Sequence, residues 1–507
     1  MTDGKTLSED SNSKGVSNEE LLRLISPGNE ISPRAASLLD RIRNLPIIDF
    51  HTHYDVQTLI HNLQWKYPSE IFLGRINPIS GRPSGFDHYL AQLLLHYNVP
   101  ENIVFGTIDS NEKAEKVRFS NLIDVIKKSY GSDKCLWFLL SLQEVFHIDV
   151  NLFKDSSDTI WRLLTDRLQQ DEYTPLSLLV KAKVTSAFTT DDPIDDLSEH
   201  RELKSIILQP TWRPDAALML TTSGRYDFKK WIVRLGECSG VGEITSVEVL
   251  FDALTKRLCY FIDHGCTTSD LGFVNFYPVT IDGAGANALL KKYLAGGEIS
   301  PEEFQLWHGY IFNELIALHL KHGLRQLLHQ GVLRDCNIAR FTLFGADIGG
   351  DVQGERIHRE NFVRFFQNLS CYNGNSNETT SRLTSAIIFP TNQEDAEWIT
   401  VNSAPFFGYS KDIPTLQVGP PWWWNDTRHG LRETIQVLIR HHGIYNWIGM
   451  ASDARCLSSV LPRFLVFRAT LVSELLNTPM LRDLNDDILY EFAYRVCYQN
   501  AKEWARI

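Results

Sequence analysis

The chain has 507 residues, 43% hydrophobic and 22% charged, the balance of a globular protein with a sizeable core. Its 62 acidic against 50 basic side chains give a net charge of −12, which argues against nucleic acid or an anionic membrane as the main partner. No apolar run approaches the roughly 20 residues that span a bilayer. The eight cysteines are scattered without a Cys-x-x-Cys pair, the pattern of reduced thiols in a cytoplasmic protein.

Residues 1–45 read as a polar tail with lead-in helices. Met1 to Asn18 has no apolar stretch of the kind a secretory leader needs. Helices are expected from Asn18 to Ile25 and from Pro33 to Arg43, the second capped by Ser32. The run Pro46-Ile47-Ile48-Asp49-Phe50-His51-Thr52-His53 then reads as a strand. Side chains two apart on a strand point the same way, so His51 and His53 are placed to share one metal ion. Residues 54–180 are irregular at first and then helical, with apolar periodicity over 114–130, 136–146 and 159–168. They read as a helical insertion after the first strand.

From residue 181 short apolar runs alternate with helical stretches. Val184–Thr190 ends in Asp191-Asp192-Pro193, Ser205–Trp212 in Arg213, and Gly265–Ser269 in Asp270. Arg325–His329 is followed by Arg334, Ser385–Phe389 ends at Pro390, and Leu416–Gly419 leads to Trp422-Trp423-Trp424. Trp447–Ser452 ends in Asp453-Ala454-Arg455. With the opening strand these make eight β units separated by helices. The pattern predicts an α/β fold, a distorted (β/α)8 barrel of the TIM type occupying residues 46–507. A doubly wound open sheet is the alternative, but no glycine-rich phosphate loop follows the first strand.

In a closed barrel the first and last strands are neighbours, so Asp453 arrives beside His51 and His53. Two imidazoles and a carboxylate suit Zn²⁺ or another divalent first-row ion. Taken alone, Asp453 would read as a helix cap. Arg213, Arg334 and Arg455 follow strands three, five and eight, where a guanidinium fork suits a carboxylate, although an isolated Arg more often makes a surface ion pair. His329 lies inside an apolar run and also reads as a core histidine. Asp191-Asp192-Pro193 reads as a paired acid site or a helix start, and the tryptophan run as a sugar platform or wall packing.

These stretches, with Asp87-His88-Tyr89, Trp212-Arg213-Pro214-Asp215, Ser269-Asp270 and Leu328-His329-Gln330-Gly331, fall in an order that resembles the glucuronate (uronate) isomerase family of the amidohydrolase superfamily. The resemblance implies a distorted (β/α)8 barrel with one divalent metal, Zn²⁺ or alternatively Mn²⁺ or Fe²⁺, on His51, His53 and Asp453. It implies a substrate pocket built from His88, Tyr89, Arg213, Asp270, His329, Arg334 and Arg455. The implied reaction interconverts an aldose uronate and its ketose through an enediol, with Asp453, Tyr89 and Arg455 as its catalytic groups. The partner so implied is a small sugar acid, and a homo-oligomer is left open. A metal-dependent hydrolase acting on a carboxylated substrate and a non-catalytic sugar-acid binder are the competing readings.

Overall fold

Short runs rich in Ile, Val, Leu and Phe, each closed off by a polar residue, form the wall of the protein. In the computed structural model, which describes residues 15–25, 31–79, 83–106, 110–201, 203–221, 227–346, 349–370, 385–406 and 416–507, seven of these runs are strands. They are β1 (Ile47–Asp49), β2 (Val184–Phe188), β3 (Ile207–Gln209), β4 (Thr268–Phe273), β5 (Arg325–Gln330), β6 (Ala386–Pro390) and β7 (Leu416–Val418). All pair in parallel, β1 with β2 and β2 with β3 on one side, and β4 through β7 in sequence on the other.

The two arcs meet at Trp212. β3 stops at Gln209 because Pro210 has no N–H to donate to a ladder. Pairing resumes at Trp212, whose N–H donates to Thr268 O at 3.1 Å while its carbonyl accepts from Asp270 N at 2.9 Å. The other seam is closed by the eighth run, 447–452, which lacks a regular ladder and turns at Gly449, φ +83°. Gln417 Oε1 of β7 accepts from Ile448 N at 2.9 Å, and Asp49 of β1 takes Ser452 N at 2.7 Å. Asp453 N donates to His51 O and His53 N to Ala454 O, at 3.1 and 3.0 Å. Side chains replace part of the backbone pairing here, which is the distortion of the barrel.

β4 begins three residues later than the apolar run predicts. The helix Val247–Asp263 ends in a turn at Gly265, at φ +93°, with Cys266 N donating back to Phe261 O at 3.0 Å. Gly265 and Cys266 therefore belong to the helix end, and Asp270 falls within the strand rather than after it.

Between β1 and β2 the chain is largely helical, with a small antiparallel pair at Arg75–Ile76 and Pro83–Ser84. The helices Val56–Ile60 and Pro68–Leu73 lie in the part that reads as irregular in the sequence. The helix His88–His96 starts on an Asp87 cap, the carboxylate accepting from Tyr89 N and Leu90 N at 2.9 and 3.2 Å. That cap aims His88 and Tyr89 toward the strand ends.

The helix Val460–Asn477 is buried almost all round, as an apolar sequence without a polar face requires. Its Arg468 donates to Arg43 O and Leu45 O at 2.6 and 2.8 Å, fixing the chain that enters β1. Its Arg463 pairs with Asp426 at 2.6 Å and donates to Ser452 O at 2.8 Å, fixing the eighth run from behind. Both arginines are 1% exposed, so these carbonyl and carboxylate partners are what make their burial tolerable.

Candidate metal centre and active site

The end of β1 and the end of the eighth run converge. His51 Nε2 and His53 Nε2 lie 3.2 and 3.1 Å from the same Asp453 oxygen, Oδ1. The strand ends at Asp49, short of the expected His53, and His51 lies at a bend just beyond it, yet both imidazoles reach the same carboxylate oxygen. Asp453 reaches them because its backbone turns into the left-handed region, φ +49°, right after Ser452. The three side chains offer two nitrogens and one oxygen within 4.8 Å of one another, a donor set that fits one divalent ion.

Electrostatics favour the ligand forms of His53 and Asp453 and, with no ion bound, the protonated form of His51. Burial, with Arg455 beside it, pushes His53 down to about 3, so its ring is neutral with a lone pair to give. Burial alone would raise Asp453, but hydrogen bonds from His51 and His53 outweigh it and hold the carboxyl well below the usual carboxylate range. For His51, burial alone would lower the imidazole, and the charges of Asp270 and Asp453 outweigh it and raise the ring.

Asp270 lies behind His51 and is fully buried. Its Oδ1 accepts from His329 Nδ1 at 2.6 Å, and its Oδ2 lies 3.0 Å from Arg213 Nη1 and 3.8 Å from His51 Nδ1. Arg213, with His329 and His51, outweighs burial and holds Asp270 ionised. A carboxylate only accepts, so His329 carries its proton on Nδ1 and presents Nε2 as an acceptor. His51, Asp270 and His329 also lie close enough to surround an ion, but Arg213 already supplies the balancing cation.

In front of these residues is a cavity of about 210 Å³. His51, His53 and Asp453 form one corner, and Arg213, Arg334 and Arg455 bring three guanidinium groups to its walls. Asp191, Asp192, Asp195, Trp422 and Trp423 also line it. His88 and His329 also reach the lining. Arg455 Nε is 3.3 Å from His88 Nδ1. Arg334 packs over the Trp423 ring at 5.1 Å and pairs with Asp351 at 2.9 Å.

Tyr89 and Asp270 stand behind the lining. Tyr89 OH donates to Asp453 Oδ2 at 3.4 Å and accepts from Trp423 N at 2.9 Å. Burial first, then the Asp453 charge, keeps this phenol protonated well past the ordinary tyrosine range. Of the tryptophan run, Trp422 and Trp423 serve the wall, and the backbone N–H of Trp423 also orients Tyr89. Asp191 makes no carboxyl pair with Asp192. Its Oδ2 accepts from Thr189 Oγ1 and Thr211 N at 2.7 and 3.1 Å, so it ties β2 to β3.

Several residues to which the sequence alone assigns no role help to build the site. Asp49 takes Ser452 N and Oγ. Asp215 accepts Arg213 Nε at 2.8 Å and Gly272 N at 2.9 Å. Asp351 holds Arg334. For Asp215, the adjacency to Arg213 in the sequence is a usable signal; Asp49 and Asp351 act on partners that only the fold brings near.

A sequence model described as glucuronate isomerase matches residues 31–505. The uronate isomerase of Thermotoga petrophila is 27% identical over 443 residues, covering 87% of this chain and 90% of that protein. The uronate isomerase of Streptococcus pneumoniae is 26% identical, covering 93% and 96%. Among solved structures, the uronate isomerase of Thermotoga maritima superposes with a TM-score of 0.81 at 24% identity, covering 94% of this chain and 97% of that one. The glucuronate isomerase of Caulobacter crescentus gives a TM-score of 0.81 at 21% identity, covering 96% of each. With a match running from the lead-in helices through the last helix, the chain belongs to the glucuronate isomerase family.

Proposed function

We propose that the protein is a uronate isomerase, interconverting an aldose uronate and its ketose in the manner of D-glucuronate and D-fructuronate. The observation that carries this reading is one cavity faced by both a His-His-Asp donor set and three arginines, in a chain of this family. The match does not favour the hydrolase or the non-catalytic binder. We assign residues 46–507 to one catalytic barrel, with 54–180 as its insertion, and infer a cytoplasmic enzyme acting on a small sugar acid.

The reaction takes the proton from C2 of the aldose, returns one to C1, and passes a hydroxyl proton from O2 to O1. His51, His53 and Asp453 would hold the metal, which we take to be Zn²⁺. When bound, it supplies Lewis-acid polarisation of the substrate oxygens. Asp453 is ionised and Tyr89 OH, protonated, lies 3.4 Å from its Oδ2, so by position these are the acceptor and the donor we assign to the proton transfer. Arg455 is close enough to His53 to depress its basicity, which puts its charge at the reacting end, where enediolate charge develops. Arg334, on the Trp423 face, is then the guanidinium left to hold the substrate carboxylate, with Arg213 beside it. His88, His329 and Asp270 orient these groups.

Proton NMR of D-glucuronate and of D-galacturonate with the protein in D2O tests the reading. Ketose signals with deuterium at the exchanged carbon are expected for one or both. Absence of ketose and of exchange for both sugars, with metal present, would sink it.

A further inference from the structure

Arg334 lies just beyond β5, where the chain turns back as a two-residue ribbon, Val332–Leu333 pairing with Val352–Gln353. The returning arm carries Asp351, which is 4% exposed. One carboxylate oxygen, Oδ2, takes Arg334 Nη1 at 2.9 Å. The other, Oδ1, takes the backbone N–H of Asp335 at 2.7 Å. Asp335 itself has φ +54°, a turn that aspartate adopts more readily than most residues and that brings its N–H to Asp351. Asp351 therefore grips both the side chain of Arg334 and the backbone one residue on.

Two further contacts limit where that guanidinium can go. Its carbon lies 5.1 Å from the centre of the Trp423 ring. On the other side is Gly272 of β4, where a Cβ would stand 3.6 Å from Arg334 Nη2 and 2.9 Å from Arg213 Nη2. The missing side chain lets two arginines approach the same spot. The arm that bears Asp351 is also tied to a second element. Gln92 Nε2, on the helix that begins with His88 and Tyr89, donates to Gly349 O and Asp351 O at 3.4 and 3.5 Å.

We propose that Asp351 is a positioning residue for substrate recognition: it holds the Arg334 guanidinium against Trp423 and beside Gly272, with one edge engaged and the other turned to the substrate carboxylate. The role in recognition rests on the isomerase reading; the grip on Arg334 does not. An arginine free to rotate loses ordering entropy each time it binds an anion, and one already clamped has lost it in folding. The clamp thus acts on ground state and transition state alike, which is a KM effect.

The test has two arms. In the first, rates on D-glucuronate are measured for wild type, Asp351→Asn, Arg334→Gln and the double variant. Asp351→Asn should raise KM about tenfold with kcat within about threefold, and adding it to Arg334→Gln should cost little more, because the residue it positions is gone. Unchanged KM, an equal fall in kcat, or fully additive effects would overturn the proposal. In the second, a crystal structure of Asp351→Asn without substrate should show Arg334 off the Trp423 face or in several conformers. Arg334 staying in place would overturn the clamp. If wild type does not turn over uronates, the isomerase reading fails and the crystal structure alone decides the clamp.

Discussion

Asp49 and Ser452 are joined twice: the carboxylate accepts the serine backbone N–H at 2.7 Å and its hydroxyl at 2.5 Å. A third donor, Tyr54 OH, reaches the same carboxylate at 2.6 Å. This knot lies two residues before His51 and one before Asp453, so it sets the separation between the two halves of the metal site. Asp49→Ala leaves three buried donors without an acceptor. It should destabilise the protein by about 3 kcal/mol or more and lower metal content. Ser452→Ala, which removes one donor to Asp49 and the acceptor of Ala454 N but leaves the backbone bond, should cost about 1–2 kcal/mol. Urea unfolding and metal analysis of both variants check the order.

The donor set itself is tested by removing ligands. His51→Ala and Asp453→Asn should each abolish isomerisation and reduce bound metal, while circular dichroism stays that of wild type. Chelation of the wild type should do the same, and adding back Zn²⁺, Mn²⁺ or Fe²⁺ singly should show which ion restores the rate. Full activity in either variant would remove His51 or Asp453 from the site.

Asp192 gives a pH dependence. Burial pushes its carboxyl up to about 7, against the hydrogen bond it accepts from Trp231 Nε1 at 2.8 Å. A folded-state value above the unfolded one means the native state holds the proton more tightly. Stability from this group is complete below about pH 4 and is lost as pH rises through about 7. Asp192→Asn carries no such loss. Between pH 5 and pH 8 the variant should therefore gain about 2 kcal/mol on wild type, read as the change in the difference of their unfolding free energies. A difference that stays level with pH would contradict the assignment.

Gly449 is a packing contact as well as a turn. It sits at φ +83°, and a Cβ there would lie 2.0 Å from Val496 O on the C-terminal helix. Gly449→Ala forces the eighth run away from that helix and strains its own backbone. A loss of at least about 2 kcal/mol in stability is expected, with a fall in metal affinity because Asp453 moves with the run. Thermal unfolding and metal titration measure the two effects together.

The sequence made the alternation of strands and helices legible because apolar runs bounded by polar residues are local signals. It showed His51 and His53 for the same reason, since the spacing of an expected strand puts them side by side. Asp453 needed one further step, that the ends of a barrel meet. Other features were hidden for physical reasons. The start of β4 was masked because Cys266, though buried, belongs to a helix-ending turn that has the same apolar look as a strand. The break in β3 comes from a single missing N–H at Pro210. The roles of Asp351 and Asp49 were hidden because their partners, Arg334 and Ser452, are 17 and 403 residues away. Tyr89 was indicated only by resemblance; what directs it is a backbone N–H of Trp423, which no side-chain pattern reveals.

The left-handed backbone at Asp453 restricts which ligands can occupy this position in related sequences. Aspartate, asparagine and histidine settle at such a dihedral more readily than other chiral residues, for which it costs about 1–2 kcal/mol. Cysteine or glutamate at 453 would have to offset that strain in addition to rebuilding the coordination. His51 and His53, whose φ angles are not positive, face no such barrier. The main chain at 453 thus narrows the donors that this corner of the metal site can take, while leaving the two imidazole positions unrestricted.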